Sequence, residues 1–207
     1  MPVINEELTR DCGNGNNITV PITFSPCRIV IEKEIRFIQD GGTAKQFNVF
    51  KLKVLAALDK YFNSVFKLRM TPQGGDCRCP CVEIAIRIEI KEVAAGGYPA
   101  TLKVRQSGSS SAGADGATIN ESDHPGTEPE ARLPCYAHEI GHFMLGLKDE
   151  YEGNNAASPV HEDNSIMGNY HNEGYAQAEA KARQFEFIRD WLQTKVAACC
   201  VLTVERV

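Results

Sequence analysis

The chain has 207 residues, of which 43% are hydrophobic, and its formal net charge at pH 7 is -5. No apolar run is long enough to span a bilayer, so we expect a single folded domain over 1–207 with its own core and no membrane span. Lysine and arginine are spread along the chain without forming a basic patch, and we therefore expect no nucleic-acid partner.

The first 40 residues predict β-strands. Apolar side chains alternate with polar or turn-forming neighbours at Ile18, Val20, Ile22 and Phe24, and residues 28–37 form a second run rich in Ile and Val. A two-residue period places alternate side chains on one face of a sheet, so one face of the N-terminal strands in 1–40 should be buried.

A long helix is expected next. Thr43 and Gln46 have the form of a capping box, in which each residue satisfies a backbone N–H of the other. Apolar side chains then recur at helical spacing from Phe47 to Val65, ahead of a proline and a glycine pair. We therefore predict a helix over 43–70 that serves core packing.

Residues 82–105 contain the clearest strand pattern. Five apolar side chains alternate with charged or small ones, at Val82, Ile84, Ile86, Ile88 and Ile90. One face of this strand must be buried. Residues 101–105 predict a further short strand, and the pattern leaves open which strand forms the edge of the sheet.

Residues 106–131 are rich in Gly, Ser, Ala and acidic side chains and show no hydrophobic period. This composition predicts a long exposed loop that leads into the next helix. Two roles stay open for the loop: a flap over a binding cleft, or an insertion without a function.

A His-Glu-x-x-His motif lies in the helix that we predict over 132–146. Residues i and i+4 share one helix face, so His138 and His142 can both direct an imidazole nitrogen at one metal ion, and Glu139 can reach a water molecule on that ion. Two histidines, a third protein ligand and a water are typical of catalytic zinc rather than structural zinc.

The residues alone leave the third ligand open. Gly146 can end the helix in a left-handed conformation, and the chain can then bring Asp149 or Glu150 back towards the metal. Later in the chain, further candidates that offer an imidazole nitrogen or a carboxylate are His161, His171 and Glu173.

The stretch from His138 to Tyr151 resembles a known family motif. It reads His-Glu-x-x-His-x-x-x-Gly-x-x-Asp-Glu-Tyr, which is similar to the motif of the IgA-peptidase-like metallopeptidases and of the calcium-activated chloride channel regulator protease domains, both zincins close to the metzincins. The resemblance implies that His138, His142 and Asp149 are zinc ligands and that Glu139 is the general base. It also implies an α/β (α+β) zincin fold with a mixed twisted sheet, an active-site helix, a Met-turn and a C-terminal helix.

Residues 165–170, Ser-Ile-Met-Gly-Asn-Tyr, are similar to the Met-turn of metzincins. By that resemblance Met167 forms an apolar floor beneath the zinc ligands, and Tyr170 donates a hydrogen bond to the developing oxyanion. A helix is predicted over 173–198 because its apolar residues form one stripe, and we expect this helix to pack behind the turn.

Eight cysteines, an even number, favour disulfide bonds. Cys12 and Cys27 bracket the first clear strand and are the simplest pair to propose. A vicinal bond is strained, so we expect Cys199 and Cys200 to pair elsewhere. The run Cys-Arg-Cys-Pro-Cys at 77–81 is the alternative place for a structural zinc, but alternate cysteines leave little room for the usual Cys-x-x-Cys loop.

The chain begins without a basic segment followed by an apolar run, so we expect no signal peptide. The cysteines nevertheless favour a protein that is secreted or otherwise exported to an oxidising compartment.

The predicted function is a zinc-dependent endopeptidase that acts on a protein or peptide substrate, with Zn²⁺ as cofactor. Two other classes stay open. One is a bacterial toxin effector metalloprotease, delivered by a secretion system and guarded by an inhibitor or immunity protein. The other is a catalytically inactive, disulfide-stabilised zinc-binding module, which zinc analysis and a peptide-library digest would separate from an enzyme.

Overall fold

The computed structural model describes residues 3–13, 16–94, 100–105, 110–113, 116–120, 133–151, 160–161, 163–168 and 177–207. These residues form a mixed α+β structure. The strands are β1 (Ile4–Asp11), β2 (Asn17–Ser25), β3 (Arg28–Asp40), β4 (Phe66–Pro72), β5 (Glu83–Glu92), β6 (Ala100–Arg105), β7 (Ser111–Gly113), β8 (Gly116–Asn120) and β9 (Cys200–Arg206). The helices are α1 (Ala44–Tyr61), α2 (Leu133–Leu145) and α3 (Glu186–Gln193), and the 3-10 turn Ala182–Phe185 precedes α3. Within these ranges, no helix has the length and apolar composition needed to cross a membrane.

The strands of the described residues form one mixed sheet, whose main path has the order β7-β8-β6-β3-β5-β4-β9. Off this path, β2 pairs antiparallel with both β1 and β3. The long strand β3 is central because its first part pairs in parallel with β5 and its last part with β6. β8 pairs in parallel with β6, and β7 pairs antiparallel with β8. A parallel pair needs a crossover, and α1 lies in the connection between β3 and β5.

The alternating patterns define the buried face of the sheet. Ile18, Val20, Ile22 and Phe24 of β2 are buried, as are Ile84, Ile86 and Ile88 of β5. Together with the apolar sides of α1 and α2 they form one hydrophobic core. The predictions of N-terminal strands within 1–40 and of strands within 82–105 are confirmed.

The helix predicted over 43–70 is too long. α1 begins after the Thr43 capping box, as expected, but it ends at Tyr61. The side chain of Asn63 instead bonds the backbone N–H and carbonyl of Ile88 in β5, and Ser64 has a left-handed backbone with φ of 59°. The chain turns there and continues as β4, whose apolar side chains alternate with a period of two.

The loop predicted over 106–131 is partly wrong, because β7 and β8 lie inside this range. Their hydrogen bonds to the rest of the sheet, rather than a hydrophobic pattern, define these strands. β6 is an interior strand, and β7 occupies the last position at this end of the described sheet. Residues 106–109, 114–115 and 121–131 lie outside the described residues.

The helix predicted over 173–198 is also too long. In its described part, from residue 177 onward, the helical residues are Gln177, the short 3-10 turn and α3, and Glu179 pairs with Ser165 in an isolated β-bridge. The chain then returns as β9, antiparallel to β4, a strand that the sequence analysis did not predict. The helix ends early because the chain turns after α3 to complete this edge of the sheet.

Three disulfide bonds join Cys27 to Cys81, Cys77 to Cys199 and Cys79 to Cys200. They confirm disulfide bonding and separate partners for the vicinal pair. The proposed pair of Cys12 and Cys27 is wrong, because these residues lie beyond opposite ends of β2, whose rise of about 3.3 Å per residue keeps them roughly 27 Å apart. The Cys12 thiol instead donates to the Asn16 carbonyl at 3.3 Å.

Candidate metal centre

The helix α2 carries the two histidines of the motif and is almost wholly buried. It packs against α1 and against the strands β2, β7 and β8. Near its end, the ammonium of Lys33 on β3 donates a hydrogen bond to the Phe143 carbonyl at 2.6 Å, which gives a partner to one of the carbonyls that a helix C-terminus leaves unsatisfied. The position of α2 relative to the sheet is therefore fixed from several sides.

His138 and His142 direct their Nε2 atoms at one point. These atoms are 3.1 Å apart, and the rings are nearly perpendicular, at 88°. The Nδ1 of His138 lies 3.0 Å from the Ile166 carbonyl, and the Nδ1 of His142 lies 2.6 Å from the Leu147 carbonyl. Because a carbonyl can only accept a hydrogen bond, Nδ1 carries a proton and the lone pair of a neutral ring is on Nε2. This is the tautomer that can bind a metal.

Gly146 ends α2 and reverses the chain. Its φ is +60°, and beyond it the N–H of Leu147 returns to the Gly141 carbonyl at 3.2 Å. A Cβ atom on Gly146 would lie 2.7 Å from Cβ of Arg10. Glycine is required here both for the left-handed backbone and for the close approach of β1.

Asp149 follows this turn and completes a group of three. Its Oδ1 lies 3.2 Å from Nε2 of His138 and 3.1 Å from Nε2 of His142. In the described part of the chain, these three residues are the group of histidines and carboxylates whose ligand atoms all lie within 4.8 Å of one another. His161 is not in the group, and its backbone N–H donates to the Glu150 carbonyl. His171 and Glu173, the other candidates, lie outside the described residues.

The charges in the site favour a cation. Burial acts to lower the pKa of His138, but the hydrogen bond of Asp149 and the charge of Glu139 outweigh it, so the pKa is raised. Burial acts to raise the pKa of Asp149, yet the hydrogen bonds to His138 and His142 hold the pKa of this carboxyl well below its usual range. The two carboxylates therefore stabilise positive charge at His138.

Glu139 lies beside the three residues in a cleft of about 240 Å³. Only 7% of Glu139 is exposed. Other walls of the cleft come from Ser111 and Ala112 of β7 and from Cys12 and Asn16 next to the β1–β2 turn. The cleft therefore brings together a candidate base, a candidate metal site and the last strand at this end of the described sheet.

Tyr151 is a cleft residue to which the sequence analysis assigned no role. Its side chain hydrogen-bonds the Asp149 carboxylate, and its ring lies 6.4 Å from the His138 ring. Burial is the main cause of its raised pKa, and the charge of Asp149 adds to the effect. The sequence signal that could have pointed to Tyr151 is its position as the last residue of the motif that begins at His138. Tyr170, the predicted donor to the oxyanion, lies outside the described residues.

Met167 packs against α2 close to the histidines, and its role as a floor beneath the zinc ligands stays a prediction. It is fully buried, and its Sδ would be 2.7 Å from a Cβ atom on Gly141, the residue directly before His142 on α2. The N–H of Gly168 donates to the Ser165 carbonyl and closes the turn. Met167 therefore packs directly against the backbone of the helix that carries the histidines.

A partly buried ion-pair network joins the Asp149 segment to this turn. The carboxylate of Glu150 accepts from Nε and Nη2 of Arg183 at 3.0 and 2.7 Å and from the Ser165 hydroxyl at 2.5 Å. The same guanidinium donates to Asp163 at 2.8 and 2.9 Å. The backbone N–H of Glu150 also donates to the Met167 carbonyl at 2.8 Å. Arg183 had no local sequence signal, because its partners lie far away in the chain.

Comparison of the chain with known protein families, with characterised proteins and with solved structures found no match.

Proposed function

We propose that the protein is a zinc-dependent endopeptidase of the zincin type. The observation that carries the proposal is the convergence of three ligand atoms, Nε2 of His138, Nε2 of His142 and Oδ1 of Asp149, beside the Glu139 carboxylate in one cleft. Three further features support a metzincin-like fold: the two histidines one turn apart on a helix, the glycine turn, and the buried Met167 packed against that helix.

The donor set fits zinc. Nitrogen and oxygen ligands lie about 2.0–2.2 Å from zinc, and the edges of a tetrahedron of that size measure roughly 3.4 Å. The three ligand atoms are separated by 3.1, 3.1 and 3.2 Å. Small outward shifts would make room for the ion, and three protein ligands leave a fourth position for water or substrate.

The chain's own residues have separate roles in the proposed reaction. When bound, zinc supplies Lewis-acid activation of water and of the scissile carbonyl. Glu139 accepts the proton of the attacking water and delivers it to the leaving amine. Asp149 would supply the third ligand oxygen and a negative charge to the metal, and Tyr151 holds the Asp149 carboxylate through a hydrogen bond.

The shape of the cleft supports a peptide as substrate. β7 is the last strand at this end of the described sheet. Its residues Ser111 and Ala112 line the cleft next to His138, His142 and Asp149, which we call the triad. An extended peptide can add to the edge of a sheet through main-chain hydrogen bonds. A peptide in that position would pass Glu139 and the three ligands.

The test is zinc content measured together with digestion of a peptide library, analysed by mass spectrometry. We expect about one zinc per chain from the triad, cleavage of internal peptide bonds, loss of cleavage with a chelator and recovery when zinc is added back. A protein that binds no metal at the triad would contradict the proposal, and so would a zinc-loaded protein that cleaves no peptide in a diverse library. The second result would favour a binding module.

A further inference from the structure

Four cysteines meet at the opposite end of the sheet order from β7. Cys77 and Cys79 lie in the connection between β4 and β5, and Cys199 and Cys200 lie at the start of β9. Cys200 is fully buried, and the other three are half-buried. Each of two chain segments therefore presents a pair of cysteines to the other segment.

The backbone around Cys199 and Cys200 is held independently of the disulfides. The N–H of Gln73 donates to the Cys199 carbonyl at 2.7 Å. The Gln193 amide donates to the Cys200 carbonyl at 2.9 Å and accepts from the N–H of Leu202 at 2.9 Å. These bonds, together with the β4–β9 ladder, would keep the four thiols near one another after reduction.

Two pairs of sulfur atoms that are not bonded to each other have the spacing of a zinc site. Sγ of Cys77 lies 3.8 Å from Sγ of Cys79 and 3.6 Å from Sγ of Cys200. Zinc–sulfur bonds of about 2.3 Å place the corners of a tetrahedron roughly 3.8 Å apart. Cys77, Cys79 and Cys200 already form a group of ligand atoms within 4.8 Å, and Cys199 is bonded to Cys77.

We propose that Cys77, Cys79, Cys199 and Cys200 form a second, structural zinc site when they are reduced and two disulfides when they are oxidised. The absence of a Cys-x-x-Cys loop does not prevent this, because two segments supply the ligands. Two equivalents of a dithiol reductant convert the two disulfides into four thiols and are themselves oxidised to two disulfides. Zinc then binds the four thiolates and releases four protons.

The consequence is a cross-link at β9 in either redox environment. In an oxidising compartment the two disulfides hold β9 to the β4–β5 connection, and in a reducing compartment the metal holds the same segments. The Cys27–Cys81 bond lies outside this group of four. The proposal does not depend on peptidase activity or on the triad.

The experiment adds Co²⁺ to the metal-free protein under nitrogen, before and after reduction with a phosphine that is then removed. Thiolate ligands give cobalt a strong ultraviolet charge-transfer band, which imidazole and carboxylate ligands do not. We expect the reduced protein to bind one more cobalt ion per chain than the oxidised protein and to show the thiolate band. Equal stoichiometry in the two states, with no band, would overturn the proposal.

Two double variants provide matched controls. Cys79→Ser with Cys200→Ser should abolish the extra ion and the band, whereas Cys27→Ser with Cys81→Ser, which removes the third disulfide, should keep both. Loss of the band in both variants would overturn the proposal. Circular dichroism detects whether reduction unfolds the metal-free protein. If it does, cobalt should restore the fold, and failure of cobalt to restore it would contradict the proposed zinc site. His142→Ala should keep the band whether or not the triad binds metal.

Discussion

At the scale of single residues, His138 and His142 are set by backbone carbonyls that lie outside the helix. The Ile166 carbonyl belongs to the turn that contains Met167, and the Leu147 carbonyl follows Gly146. The segments after α2 therefore orient both rings as well as delivering Asp149. Such outer partners fix the tautomer and strengthen a metal ligand.

Asp149 should be essential for metal binding, whereas His161 should not. Asp149→Ala removes the carboxylate whose Oδ1 lies within 3.2 Å of both Nε2 atoms, and His161 lies outside the ligand group. Loss of a residue that only hydrogen-bonds to a metal ligand can weaken metal binding by roughly 100-fold. We expect Asp149→Ala, which removes a ligand itself, to weaken zinc binding by more than this. Zinc content after dialysis against a weak chelator measures this. The reverse pattern would move the third ligand to His161.

Arg183 should act as a positioning residue for the site. Arg183→Met removes the hydrogen bonds that hold Glu150 and Asp163 together, so Asp149 would lose a fixed backbone neighbour. We expect zinc affinity to fall about 10–100-fold. The control is Arg189→Met on α3, where the ion pairs are more exposed, and it should leave affinity unchanged.

A purely structural role of Arg183 gives a different result. In that case the melting temperature of the metal-free protein would fall while the zinc dissociation constant of the folded protein stayed the same. Isothermal titration below the transition temperature separates the two outcomes.

At the scale of elements, the helix ends depended on contacts that the local sequence does not contain. The capping box of Thr43 located the start of α1, but the end was set by Asn63 bonding to Ile88 in a distant strand. β4 and β9 do alternate in sequence, yet apolar spacing near β4 also fitted a helix. Short strands such as β7 have too few residues for a period to show.

Replacement of Gly146 at the end of α2 should destabilise the folded protein. Gly146→Ala forces a Cβ atom into a left-handed backbone and to within 2.7 Å of Arg10. We expect a loss of about 1–3 kcal/mol in the free energy of unfolding. Gly75→Ala is the control, because a Cβ atom there meets nothing within 4 Å, and its effect should be within about 0.5 kcal/mol. Equal urea midpoints for the two variants would contradict this account of the turn.

At the scale of the whole molecule, the candidate site was the most predictable part of the chain. His138, Glu139 and His142 fall within about one helical turn, so short-range geometry was enough to propose the two histidines and the base. The choice of Asp149 over the other candidate ligands rested on the family resemblance. The disulfide partners were not predictable, because pairing joins residues as far apart as Cys77 and Cys199. The same holds for Arg183, whose partners Glu150 and Asp163 are brought near by the fold.

Thiol counting should confirm the three bonds in protein prepared under oxidising conditions. The denatured, unreduced chain should expose two titratable thiols, those of Cys12 and Cys135, which lie outside the disulfides. Reduction in the presence of a chelator should lower the melting temperature, because each cross-link contributes about 2–4 kcal/mol by restricting the unfolded chain. A count near eight before reduction would contradict the disulfides.

The central claim is that this cleft hydrolyses peptide bonds with zinc at the triad and Glu139 as base. The most direct measurement compares wild type with Glu139→Gln, each analysed for zinc content and for cleavage of the same peptide library. The amide keeps the shape of the side chain but cannot accept the proton, so we expect unchanged zinc and circular dichroism with a rate about 10²–10⁴-fold lower. Cleavage by Glu139→Gln at a rate near that of wild type, with zinc bound, would contradict the claim.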